Sequence, residues 1–205
     1  SNRNHIAVSS QTIGVVWEDD RSGDPQVYFS QKKYQQEVFS PAMLISTGSE
    51  GYEPTIVGLP DKGFVIVWEQ DEAVYARLLS NHKLSKSLKL STSTAGHATI
   101  AVKGQQVVAA WREQTGSDWF LKVASLSLSG NKELNIKWLT SVEEKGLELP
   151  VLFPALALNE AEIAIAWEDR RAGHTRLMVS FSQNEGKSFT EPQFLNEFYA
   201  NRNEY

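Results

Sequence analysis

Four stretches of the chain share one pattern, a short apolar run closed by a tryptophan and then a charged residue. They are Ile13-Gly14-Val15-Val16-Trp17-Glu18, Val65-Ile66-Val67-Trp68-Glu69, Val107-Val108-Ala109-Ala110-Trp111-Arg112 and Ile163-Ala164-Ile165-Ala166-Trp167-Glu168. Each run is β-branched or small and bounded by turn formers, which predicts a strand buried on both faces. Shorter strands are predicted ahead of them at 5–8, 54–57, 98–102 and 154–158. Third strands follow at 26–30, 73–78, 120–125 and 176–181, and weaker fourth strands occur at, for example, 42–45 and 193–195. No segment sustains a helical period.

The four tryptophans are 51, 43 and 56 residues apart. A period of roughly 50 residues with a constant strand signature marks a repeat architecture. Four-stranded antiparallel units repeated at that interval are blades of a β-propeller. A lone blade cannot bury both of its faces, so blades stack on their neighbours. The predicted fold is therefore all-β, a single propeller domain or fragment with blades at about 4–47, 52–92, 97–141 and 152–197. Ala7, Ala101, Ala109, Ala110, Ala157, Ala164 and Ala166 suit the inner strands, where sheets converge. Each tryptophan suits the wider gap between blades. A two-sheet sandwich is the competing architecture, and the repeat argues against it.

The fourth unit continues with Ser182-Gln183-Asn184-Glu185-Gly186-Lys187-Ser188-Phe189. This resembles the Asp-box of bacterial sialidase-like (BNR) repeats, Ser-x-Asp-x-Gly-x-Thr-Trp. Asn184, Ser188 and Phe189 stand where that motif has Asp, Thr and Trp. Ser182, Asn184 and Ser188 are expected to tie up local backbone groups. Gly186 supplies a positive φ, and Phe189 packs under the turn. The first unit echoes the fourth in Trp17-Glu18-Asp19-Asp20-Arg21-Ser22-Gly23, with its box reduced to Ser30 and Phe39-Ser40-Pro41. The middle units keep the strands without the box. The resemblance spans nearly the whole chain at repeat level. It implies a propeller and an extracytoplasmic location (periplasmic, surface or secreted), with the box as a structural turn away from the catalytic face.

Composition narrows the alternatives. The net charge of −5 lacks the basic face that nucleic acid requires. No apolar run approaches the ~18 residues of a membrane-spanning helix. Cysteine is absent, which removes disulfides and thiolate metal sites. His5, His82, His97 and His174 show no metal-ligand spacing. Asp19, Asp20 and Asp24 share a turn, yet their spacing matches no EF-hand loop. No cofactor and no metal are expected.

Strand direction alternates, so the turns after the second strands share one face with the linkers between blades. Charged residues gather there, and the candidate ligand face comprises Glu18, Asp19, Arg21, Glu69, Arg112, Glu113, Glu168, Asp169 and Arg171. Asp20, Asp71, Glu72 and Arg170 lie nearby, and the linkers add Arg3, His97, Arg202 and Tyr205. A sialidase resemblance implies retaining hydrolysis of a sialoside by three carboxylate-gripping arginines, a Tyr–Glu nucleophile pair and an acid/base Asp. The family's Arg-Ile-Pro segment is absent, and Arg21, Arg112 and Arg171 only occupy equivalent or nearby positions. No catalytic set is assigned. A second reading of the same residues stays open, in which a Glu-Asp-x-Arg turn pairs its own charges and ties blades together. Trp119 and Trp138 fall outside the repeated position and suit either sugar stacking or blade packing.

The function expected is a non-catalytic sialidase-like propeller that binds a glycan or a protein on its charged face. The alternatives are an exo-sialidase-type glycoside hydrolase with part of its site outside this chain, and a protein-interaction scaffold. Asn2-Arg3-Asn4 recurs as Asn201-Arg202-Asn203, where a fifth unit's first strand would start. The expectation is a piece of a propeller of about six to eight blades, with a closed four-bladed ring as the alternative. A piece would leave two blade faces bare and favour a homodimer, two copies making one eight-bladed ring.

Overall fold

The computed structural model describes residues 4–21, 23–60, 63–129, 133–143, 151–170 and 173–195. All regular structure in them is β, arranged as four antiparallel meanders. Blade 1 comprises β1 (Asn4–Ser9), β2 (Thr12–Asp19), β3 (Gln26–Lys33) and β4 (Met43–Leu44). Blade 2 comprises β5 (Tyr52–Leu59), β6 (Gly63–Gln70), β7 (Ala73–Ser80) and an outer strand in two pieces, β8 (Lys83–Leu84) and β9 (Leu88–Lys89). Blade 3 comprises β10 (Ala95–Lys103), β11 (Gln106–Thr115), β12 (Asp118–Leu128) and β13 (Leu134–Ser141). Blade 4 comprises β14 (Leu152–Leu158), β15 (Ile163–Asp169), β16 (Arg176–Ser182) and β17 (Gln193–Phe194). The fold is a β-propeller.

The outer strands are the irregular element. In blade 2 the strand breaks because the Ser85 hydroxyl takes the Leu78 N–H while the Ser85 N–H donates to the Leu78 carbonyl. Those bonds replace ladder pairing and draw the chain inward. The sequence offers only weak alternation at these positions.

Three hydrophobic cores sit in the three spaces between four blades. Val16, Val27, Phe29 and Ile45 of blade 1 meet Phe64, Ile66, Trp68 and Leu79 of blade 2. Val67, Val74 and Leu90 of blade 2 meet Val107, Ala109 and Trp111 of blade 3. Val108, Ala110, Leu121 and Val142 of blade 3 meet Ile163, Ile165, Trp167 and Met178 of blade 4. The period of two along each second strand thus sends alternate residues into different cores. Burying one tryptophan removes about 150–250 Å² from water, worth at most about 4–6 kcal/mol before entropy is charged.

Inner strands pack on one another in series, β1 on β5, β5 on β10 and β10 on β14. They approach closely at the axis. A Cβ placed on Gly58 would lie 1.9 Å from the Val8 carbonyl oxygen, so no larger residue fits there.

Candidate functional site

The first strands of blades 2, 3 and 4 carry a bulge at the same register. Pairing shifts between Tyr52 and Thr55, between Gly96 and Thr99, and between Leu152 and Ala155. The bulged residues Glu53, His97 and Phe153 have φ of 45°, 52° and 49°. None is a glycine, and left-handed backbone at such residues costs of order 1–3 kcal/mol each. Bulges of this kind re-aim a side chain. Here they place three side chains on the inner rim, where the linkers run into the first strands.

Each bulge is held by the preceding blade. The Glu53 N–H donates to Glu18 Oε2 at 3.4 Å, and the His97 N–H donates to Glu69 Oε1 at 2.5 Å. Glu18 and Glu69 are the residues that directly follow the repeated tryptophan. Blade 3 has Arg112 at that position, and a guanidinium has no lone pair to offer an N–H. The Phe153 N–H donates instead to His97 Nδ1 at 3.4 Å, with the two rings 4.5 Å apart.

Arg112 is thereby turned to another use. Its guanidinium lies 5.0 Å from the centre of the Trp119 ring and is drawn to Glu69 and Glu53. Burial holds its pKa below the ordinary arginine value. Glu69 is mostly buried and hydrogen-bonded to the Glu53 carboxyl. Burial, then the Glu53 charge, pushes the Glu69 carboxyl up to about 7, against the pull of the His97 N–H and Arg112. The rim therefore holds a carboxyl pair that keeps a proton near neutrality, a half-buried guanidinium, an imidazole and the exposed ring of Phe153.

The next residue along each second strand does something different. Trp17, Trp68 and Trp111 donate their indole N–H to Asp19, Gln70 and Glu113 at 3.0, 3.1 and 2.8 Å. Gln70 and Glu113 also accept the Thr47 and Thr92 N–H groups of the incoming linkers, at 2.9 and 2.8 Å. Burial raises the Glu113 carboxyl, but bonds from Thr92, Trp111 and Ser93 outweigh it and hold its pKa low. Arg21 clamps Asp19, through Nε at 2.7 Å, and keeps that carboxyl well below the usual range.

The structure thus divides the candidate face. Glu18, Glu69 and Arg112 reach the rim. Asp19 joins an indole to its own turn, and Glu113 and Asp169 are buried. Glu168 pairs with Arg170 at 3.6 Å within one turn, and Arg21 is exposed. Arg3, Arg171, Arg202 and Tyr205 lie outside the described residues.

Glu53 and Phe153 were not singled out by sequence. Their signal is Glu53-Pro54 and Phe153-Pro154 at the head of equivalent strands. The linker latch was missed as well, and its signal is Ile45-Ser46-Thr47 against Leu90-Ser91-Thr92.

The Ser182–Phe189 turn is self-contained. Asn184 Oδ1 accepts the Ser182 hydroxyl and the Ser188 N–H, both at 3.0 Å, and the Ser182 hydroxyl accepts the Gly186 N–H at 2.8 Å. Gly186 has φ of 89°, and Phe189 packs on the core between blades 3 and 4. A hollow of about 320 Å³ lies at this opposite end, between blades 1 and 2, lined by Ser10, Gln11, Gln31, Asn81 and His82 among others. Across it, Gln31 Nε2 and His82 Nδ1 are hydrogen-bonded at 2.8 Å.

No protein-family model and no curated protein sequence matches the chain. Solved structures do match, at identities that speak to fold alone. A subtype N10 neuraminidase-like protein of A/little yellow-shouldered bat/Guatemala aligns with TM-score 0.55 and 6% identity over 95% of this chain. This chain spans 58% of that one. A levansucrase mutant of B. megaterium aligns with TM-score 0.55 and 7% identity over 92% of this chain and 68% of its own. An α-L-arabinofuranosidase from Podospora anserina in complex with cellotriose gives 0.53 and 10% over 95% of this chain and 66% of its own.

Proposed function

We propose that this chain recognises carbohydrate at its inner rim, in an extracytoplasmic setting. The observation that carries the reading is the convergence of Glu53, Glu69, Arg112 and Phe153 at one end of three blades, on backbone held in a strained conformation. Carboxyl and guanidinium groups pair with vicinal hydroxyls, and an exposed aromatic ring offers a face for the C–H side of a sugar. The solved structures with this fold include a levansucrase and an α-L-arabinofuranosidase, the latter in complex with cellotriose. A sialoside as the particular ligand rests on the repeat resemblance. Calorimetric titration with sialyl, fructosyl, arabinosyl and glucosyl oligosaccharides tests the reading. Binding to one class should weaken at least about tenfold in Phe153→Ala and in Glu69→Gln, with circular dichroism unchanged. Absence of binding across the panel at millimolar sugar would sink it.

One observation favours a hydrolase as a second reading. A carboxyl that keeps its proton to about 7 beside a second carboxyl has the character of a glycosidic general acid. Glu69 would protonate the leaving oxygen. Turnover of activated glycosides should then fall as pH rises past about 7, and Glu69→Gln should abolish it. Activity that survives in Glu69→Gln with the same pH profile removes Glu69 from that role.

A further inference from the structure

Blades 1 and 4 carry the same turn after their third strand, put to different ends. In blade 4 the Ser180 hydroxyl donates to the Thr190 carbonyl at 2.6 Å, and the Thr190 N–H donates to the Phe181 carbonyl at 2.8 Å. In blade 1 the Ser30 hydroxyl donates to the Ser40 carbonyl at 2.6 Å, and the Ser40 N–H donates to the Gln31 carbonyl at 2.8 Å. Both clasps enclose a loop of the same length, so the two turns align residue by residue. Lys32, Tyr34, Gln36 and Val38 therefore stand where blade 4 has Ser182, Asn184, Gly186 and Ser188.

The blade 4 residues bond one another and seal their turn. Their replacements turn outward. Gln36 Oε1 accepts the Lys33 N–H at 2.9 Å, which holds the loop and leaves the amide NH2 as a spare donor. Val38 is 76% exposed. Phe189 packs on a core, whereas its equivalent Phe39 is 42% exposed, with the Lys32 ammonium 5.5 Å from the ring centre.

A hollow of about 350 Å³ lies beside this turn, within the about 300–1,000 Å³ of small-molecule sites. It shares Thr12, Gln31, Lys33 and His82 with the hollow of about 320 Å³ between blades 1 and 2. Blade 2 supplies His82 from the two-residue loop between β7 and β8, where Asn81 and His82 have φ of 51° and 60°. Positive φ at both positions is the geometry of a tight hairpin turn. Its bond to Gln31 fixes the imidazole across the gap between the blades.

The charge of the lining is one-sided. The chain has 25 acidic and 20 basic residues, yet the two hollows are lined by Lys32, Lys33 and His82 and by no carboxylate among the described residues. Neither lysine is ion-paired to a described residue. An ammonium is a point charge with rotatable donors and suits a tetrahedral oxyanion, whereas the planar fork that matches a carboxylate belongs to arginine. No arginine is among the described lining residues. Val38 and Phe39 add an apolar wall next to the charge.

We propose that this hollow binds a sulfate or phosphate ester of a sugar, the oxyanion held by Lys32, Lys33 and the Gln36 amide and the ring set against Val38 and Phe39. None of these residues belongs to the inner rim, so the two sites stand or fall separately.

Titration calorimetry on the full 205-residue chain tests this with glucose 6-sulfate, glucose 6-phosphate, glucuronate, glucose and the inorganic anions. At least one ester should bind about tenfold or more tightly than glucose and glucuronate, and the tighter ester identifies the source of the oxyanion. Lys33→Gln and Gln36→Ala should each weaken that ester at least about fivefold. Both side chains are exposed, and circular dichroism checks that the variants fold. Lys103→Gln, which removes the same charge from blade 3 where it pairs with Glu160, should leave ester binding unchanged. Equal losses in Lys33→Gln and Lys103→Gln, or glucuronate binding as tightly as the esters, would overturn the proposal. Inorganic sulfate or phosphate binding as tightly as its ester would mean an adventitious ion only. Absence of ester binding at millimolar concentration overturns it outright.

Discussion

Leu121 and Leu177 stand at the same register in adjacent blades, and one is inside the molecule while the other is at its surface. The local pattern is the same at both, an apolar residue alternating with others on a third strand. What differs, among the described residues, is whether a further sheet lies opposite. Binary pattern thus reports which face is apolar, and architecture decides whether that face becomes core. Blades 2 and 3, covered on both sides, are the reference against which the outer faces of blades 1 and 4 can be measured.

The largest contrast should be at the tryptophans. Trp68→Ala and Trp111→Ala should each cost about 3–5 kcal/mol in urea unfolding, because both leave a cavity in a closed core. Trp17→Ala should cost about 1 kcal/mol or less in dilute protein. An equal loss at Trp17 would show that blade 1 is covered at that concentration. The leucine pair sharpens the comparison with identical chemistry. Leu121→Ala should cost about 2–5 kcal/mol and Leu177→Ala below about 1 kcal/mol, again at concentrations where chains are monomeric.

Two acids in the same pair of blades should pull stability in opposite directions with pH. Glu69 has its folded pKa raised from 4.5 to about 7, so the folded state keeps a proton that the unfolded state releases. Its contribution is most favourable below pH 4.5 and is lost between 4.5 and about 7, by at most about 3 kcal/mol. Glu113 has its folded pKa lowered, so its contribution is present above 4.5 and is lost as pH falls through the folded value. Glu69→Gln should flatten the stability profile between pH 4.5 and 7, and an unchanged slope there would refute the assignment. The smallest effect expected is in the turn of blade 4. Asn184→Ala removes bonds to Ser182 and Ser188 and should cost about 1 kcal/mol, read as a shift in the melting midpoint.

The fold was legible because the tryptophan repeat and the alternating runs repeat the same physics four times. Outer strands were less so, since two-residue strands such as β4 and β17 carry almost no periodic signal. The charged face was recognisable as a cluster but not as two layers. One residue after the tryptophan points to the next blade's bulge, while two residues after it points back to the indole. Sequence lists Glu18 beside Asp19, and only the alternation of strand faces reveals that they serve different neighbours. His97 was noticed in its linker, yet its role as a stand-in acceptor follows from Arg112, a residue fifteen positions away in another strand. Glu53 and Phe153 were hidden because a bulge depends on pairing, which a single strand does not display.

The repeated bulge also separates two things that usually vary together in proteins. Its backbone shape is fixed by a bond from a main-chain N–H to a neighbouring side chain, so it does not depend on which residue occupies it. Glu53, His97 and Phe153 show that an acid, an imidazole and a phenyl ring are all accommodated. Blades 2 and 4 in effect offer interchangeable sockets on a common frame, while the residue in blade 3 has a second duty as the acceptor for blade 4. A lineage, or a combinatorial library restricted to codons 53 and 153, could revise ligand preference without renegotiating the fold, whereas codon 97 also supplies the acceptor for the Phe153 N–H.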